Sequence, residues 1–166
     1  MSTDAIVLLK EDHTEIRRLF REFEGTGKGA TKAKGALVKQ ILSLLTVHTY
    51  LENEIVYPGV RELVPAVEDH VLESYEEHHV ADVLSMELMI MSPDDERFTA
   101  KTMVLIENVR HHMDEEEQEW FPLVRAGMSR SQLQEMGARM LELRPSAPTS
   151  PAQPGALKKA VDAVLS

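Results

Sequence analysis

Apolar residues recur along most of this chain at steps of three and four and never alternate as in a strand, so the pattern predicts helices. The first amphipathic stretch carries Ile6, Leu9, Ile16, Phe20 and Phe23, with His13 in the missing place of the stripe; Gly25, Gly27 and Gly29 end it. A second helix is predicted from Thr31 to Tyr57 through Leu37, Ile41, Leu44, Leu45, His48, Glu52 and Ile55, stopped by Pro58 and Gly59. A third runs from Val67 to Met91, entered after Pro65. Ser92-Pro93-Asp94 reads as a turn that starts the fourth, with Ser92 as cap; that helix carries Val104, Leu105, Val109, His112 and Glu116 and stops at Pro122. Leu133, Met136, Met140 and Leu143 mark a shorter fifth helix from Ser131 to Leu143. The expected fold is all-α, an up-down-up-down four-helix bundle over residues 1–143. Residues 144–166 are expected to form a Pro-rich linker and a C-terminal tail, in which Ala156 to Leu165 either docks as a short helix or stays loose.

One motif occurs twice. His48 and Glu52 are four apart and Pro58 lies ten after the histidine; His112, Glu116 and Pro122 repeat both spacings. The repeat extends to the other two helices. His13 is followed by Ile16, Leu19 and Phe23, and His78 by Ala81, Leu84 and Leu88 at the same offsets. Each of these histidines is preceded by an acid, Asp12 or Glu77. Two copies of a helical hairpin would set four His and two Glu around an approximate two-fold axis.

Composition narrows the chemistry. With 166 residues, 43% of them hydrophobic, the chain suits one globular domain. The absence of Cys excludes disulfides, thiolate ligands and Cys nucleophiles. A net charge of -10 and no notable basic patch argue against nucleic acid as a partner. The start, Met1 to Lys10, has no leader pattern and no apolar run is long enough to span a bilayer, so no membrane association and a cytoplasmic location are expected. No nucleophile–base pair is visible, and the Gly25–Gly29 stretch lacks the spacing of a phosphate loop.

A lone His in an apolar stripe is usually a satisfied core residue, and a His-Glu pair four apart is common on solvated surfaces. Here His falls in the core register of all four long helices, and two of them add Glu one turn on. A buried Glu without a partner is costly, so these carboxylates call for a cation. The candidate metal set is His13, His48, Glu52, His78, His112 and Glu116. Two imidazoles per ion, two bridging carboxylates and an oxo or hydroxo bridge suit two iron ions, and manganese or zinc less firmly. Each ion would keep one open position, where O2, peroxide or NO could bind. His112 is preferred to His111 because Leu105 and Val109 lie on its stripe. The repeat favours His78 over His79, although the stripe Leu72, Val83, Met86 and Ile90 would suit His79. Tyr57, whose counterpart is Phe121, either packs beside Pro58 or offers its phenol to an open metal position. In the acidic run Asp114 to Glu117, residues other than Glu116 read as a solvated face, with acceptors for histidine N–H groups as the alternative.

These stretches (Glu11 to Ile16, His48 to Pro58, Glu76 to His79, His112 to Pro122) together resemble the hemerythrin-like family, the HHE cation-binding domain. The resemblance covers residues 1 to about 143 and implies a four-helix bundle with a non-haem di-iron centre on the six positions named above. Animal oxygen carriers of the family use a further His on the third helix and Asp for the last Glu. This chain has Asp82 and Glu116 there, which argues against simple reversible O2 carriage. A likeness to mycobacterial-type members favours Tyr57 as a metal ligand or donor. The implied function is catalase-like peroxide dismutation or NO handling; the alternative is a non-enzymatic O2, NO or redox sensor, or an iron-binding protein.

Overall fold

Asp4 opens the first helix. Its Oδ1 accepts from the N–H groups of Ile6 and Val7, which caps α1 (Ala5–Glu24). The computed structural model describes residues 3–151, and the candidate helix Ala156 to Leu165 lies outside them. A turn in which Gly29 takes φ 84° leads into α2 (Thr31–Leu51). Then follow α3 (Tyr57–Leu63), α4 (Glu68–Ile90), α5 (Phe98–Glu115), α6 (Phe121–Gly127) and α7 (Arg130–Leu143). No strand occurs among the described residues, and no described helix is long and apolar enough to cross a membrane.

Pro58 and Pro122 do not end their helices as expected. Each follows a wide π-helical turn, Glu52–Val56 or Glu116–Trp120, which joins α2 to α3 and α5 to α6 in continuous rods. The N–H of Tyr57 reaches back five residues to the Glu52 carbonyl, and that of Phe121 to the Glu116 carbonyl. Each proline then stands in the first turn of a new α segment, where its missing N–H is harmless and its fixed φ suits the helix. The start of α5 is also later than expected. Ser92 Oγ accepts from the Asp94 N–H and Asp95 Oδ1 from the Arg97 N–H, so two local turns occupy the backbone until Phe98. Ser129 and Gln132 form a reciprocal capping box that starts α7.

The rods close into a ring: α1 packs on α2, α2 on α4, α4 on α5, and α5 on α1, while α7 lies along α1. Cross-rod pairs give the direction. Arg17 meets Asp114 and Glu117 whereas Glu24 meets Arg110, so α1 and α5 run antiparallel. The apolar interior is split in two. One cluster holds Leu9, Val56, Tyr57, Trp120, Phe121 and Met140; the other holds Ile16, Phe20, Leu45, Phe98, Leu105 and Met113. Between them each rod carries buried polar residues: His13, then His48 and Glu52, His78, and His112 and Glu116.

Gly137 of α7 lies against the start of α1. A Cβ built there would lie 1.6 Å from the Thr3 carbonyl oxygen, a backbone atom. Gly137→Ala must therefore push α7 from the start of α1, at a cost of about 1–3 kcal/mol. A urea unfolding curve should show a lower midpoint; an unchanged midpoint would mean that α7 is not held at this distance.

Candidate metal centre

All seven sequence-derived site residues meet in the polar belt between the two cores. His13, His48, Glu52, Tyr57, His78, His112 and Glu116 are each buried. Spacing of four along α2 and α5 brings His48 Nε2 to 3.2 Å from Glu52 Oε1 and His112 Nε2 to 3.3 Å from Glu116 Oε1. The other oxygen of each carboxylate faces the opposite pair: Glu52 Oε2 lies 3.0 Å from His78 Nε2, and Glu116 Oε2 lies 3.1 Å from His13 Nε2. Each Glu thus spans two imidazole pairs, His13 with His48 and His78 with His112. The paired alternatives fall elsewhere. His111 has 65% of its side chain exposed and pairs with Glu115, and His79 is only half-buried.

Tyr57 arrives through the π turn. In a straight α-helix it would lie nine residues and about 180° from His48. The wide turn swings it inward, and its hydroxyl donates to Glu116 Oε1 at 2.9 Å. The same oxygen is 3.3 Å from Glu52 Oε2, 3.1 Å from His78 Nε2 and 3.3 Å from His112 Nε2. In the other half Phe121 stacks on His13 at 6.0 Å and offers no polar atom.

Each of the four belt histidines points Nε2 inward because its Nδ1 is held from behind. Asp12 Oδ2 lies 3.1 Å from His48 Nδ1 and Glu77 Oε2 lies 2.6 Å from His112 Nδ1. Glu117 Oε1 and Asn53 Oδ1 each lie 2.9 Å from Nδ1 of His13 and His78. These four partners obey the repeat: the acid before one histidine holds the histidine of the next rod, and the residue after each belt Glu holds the remaining one. Glu117 is therefore a histidine partner, not part of a solvated face.

Charge follows this geometry. Burial would lower the His48 imidazole, but Glu52 and Asp12 outweigh it and raise it to about 10. His112 is likewise held well above 6.5, against burial, by Glu116, Glu52 and Glu77. Glu52 lies well below 4.5 because its imidazole neighbours overcome its burial. Tyr57 is pushed well above 10, first by burial and then by the Glu116 and Glu52 charges, so its phenol keeps its proton.

The two halves differ in how their inward atoms are satisfied. His13 Nε2, His48 Nε2, Glu52 Oε1 and Glu116 Oε2 are buried and have no hydrogen-bond partner. Two imidazole nitrogens and two carboxylate oxygens left this way fit a cation, which accepts lone pairs from all four. His13, His48, Glu52 and Glu116 form one group that could hold a metal ion, and Glu52, His78 and His112 form a second. A cavity of about 20 Å³ adjoins the second half, lined by His48, Glu77, His78, Asp82, Asn108 and His112 among others. That is room for about one water-sized molecule.

A solved structure of a hemerythrin HHE cation-binding domain-containing protein from Mycobacterium kansasii shares this fold, with a TM-score of 0.71, 23% identity, and coverage of 86% of this chain and 88% of that one. A curated relative, a DNA nickase of Nostoc sp. (strain PCC 7120), is 26% identical over 128 residues. That match takes in 77% of this chain but 35% of the relative, so the chain spans about a third of that protein's length. Residues 4–124 match the family described as the hemerythrin HHE cation binding domain. The chain belongs to that family, whose domains bind metal ions, typically iron.

Proposed function

We propose that the belt holds two iron ions and that the protein acts on a small oxidant, with hydrogen peroxide dismutation as the leading reaction. The observation that carries this reading is the double-faced placement of Glu52 and Glu116, each with one oxygen toward either imidazole pair. His13 and His48 would hold one ion, His78 and His112 the other, and Tyr57 would complete the second position. When bound, an iron pair supplies the two-electron change that peroxide dismutation requires.

The residues around the centre have separate tasks. Asp12, Glu77, Asn53 and Glu117 fix the imidazole orientations. Leu51, Trp120 and Phe121 are fully buried and keep bulk water from the belt. The small cavity beside His78 and His112, with room for about one water-sized molecule, suits a ligand as small as O2, NO or peroxide. The Tyr57 hydroxyl donates to Glu116 Oε1 and so steadies the carboxylate with which it would share the second ion. A net charge of -10 supplies no basic face for a phosphate backbone, so a DNA-directed activity is not part of this reading. The same geometry without turnover would serve a sensor of O2 or NO, which the peroxide assay below separates from an enzyme.

Protein purified with iron should contain about two ions per chain, and added peroxide should give sustained O2 release. His112→Ala combined with Glu116→Gln should abolish iron retention; full retention would sink the centre. Glu77→Gln should weaken iron binding about 10- to 100-fold, read by competition with a chelator. The metal-free protein should also show a defined pH response. His48 titrates at about 10 when folded against an ordinary 6.5, so its contribution to stability is complete below 6.5 and is lost as pH rises through 10. Glu52, held below its ordinary 4.5, contributes above that value and is lost as acid is added. The urea midpoint of metal-free protein should therefore fall between pH 6.5 and 10, and a midpoint that climbs over that range would contradict the charge assignment.

A further inference from the structure

The two halves of the repeat are braced differently. Behind His48, the Asp12 oxygen that lies 3.1 Å from Nδ1 also accepts from Arg144 Nη2 at 2.6 Å. Behind His13, Glu117 accepts from Arg17 through both of its oxygens. Each imidazole of the first half thus rests on a carboxylate that an arginine holds in place. The second half has no such brace among the described residues. His78 rests on the neutral Asn53, and Glu77, behind His112, has Glu115 and His111 as its neighbours instead of an arginine.

Arg144 comes from an unexpected part of the chain. It begins the short 3-10 turn Arg144–Ser146 after α7, in the stretch read from sequence as linker, and it lies outside residues 4–124 that match the family. The α7 helix reaches this point because Gly137 lets it lie against the start of α1. Asp12 is buried, at 9% exposure, and its Oδ2 is held between the His48 ring and the Arg144 guanidinium. Without the guanidinium it would be free to turn toward water, and His48 would lose the acceptor that fixes its ring.

We infer that Arg144 is a positioning residue of the metal centre: acting through Asp12 it holds His48, and so makes the His13/His48 half the firmer cation position. The inference rests on the metal centre proposed above. Its test uses Zn2+, which binds without redox chemistry, on the full chain. Calorimetric titration of wild type should resolve two equivalents. Arg144→Gln should weaken one of them about tenfold and leave the other within about twofold. It should add nothing in an Asp12→Asn background, and Arg144→Lys should restore most of the affinity. In the Zn2+-loaded protein, the His48 Nδ1 proton should give a protected downfield NMR signal that Arg144→Gln removes, a change that general loosening of the fold would not confine to one histidine. Equal losses at both equivalents, or a loss additive with Asp12→Asn, would overturn the inference. So would a variant that binds like wild type while Asp12→Asn alone binds weakly, which would leave the centre standing. Wild-type protein that takes up no Zn2+ would overturn the centre and the inference together.

Discussion

The fold is organised around two buried carboxylates. Glu52 and Glu116 lie at the middle of a helical bundle, fully shielded from solvent. Such groups cannot be left alone in an apolar interior. Their neighbours are accordingly four imidazoles, each locked by a hydrogen bond from behind. That demand spreads outward: to the acids that hold the imidazoles, to the arginines that hold two of those acids, and to the fifth helix that delivers one of the arginines. The belt is built from the inside, and its outermost layer is what differs most between the two halves.

Much of this was legible in the sequence because the signal was repeated. A single His in a hydrophobic stripe carries little information; four in register, two with Glu one turn on, fix the bundle and the belt. The choice of His78 over His79 came from the repeat alone, and the structure buries His78 in the belt and leaves His79 outside it. The helix ends were misread for a physical reason. Proline normally breaks an α-helix, but a π turn of one extra residue just ahead of it absorbs the conflict. Nothing in a pattern of period 3.6 announces that change of period. The same turn brings Tyr57 inward, which a straight helix would not do. The histidine partners were half visible: the acids before His13 and His78 stood out, but which ring they hold is a cross-rod relation. Arg144 gave no signal, since its partner lies far away in sequence.

The repeat is therefore a frame on which asymmetry has been placed. The backbone copies itself down to the paired π turns, while the side chains at matched positions diverge: Tyr57 against Phe121, Asn53 against Glu117, an arginine behind Asp12 and an acid beside Glu77. Shared backbone geometry sets where two ions could sit. The unmatched side chains make the surroundings of the two positions chemically different.

The division of the apolar interior into two clusters has a consequence for how the molecule comes apart. Neither cluster extends through the belt, so the rods alone and the belt transmit order from one end of the bundle to the other. A belt of matched imidazolium and carboxylate groups, or of groups tied to common ions, makes both ends melt as one. A belt whose charges no longer match would be a seam between two smaller bundles. Cooperativity in this fold is thus set at its midline, by polar chemistry, and not by the amount of apolar surface that either end buries.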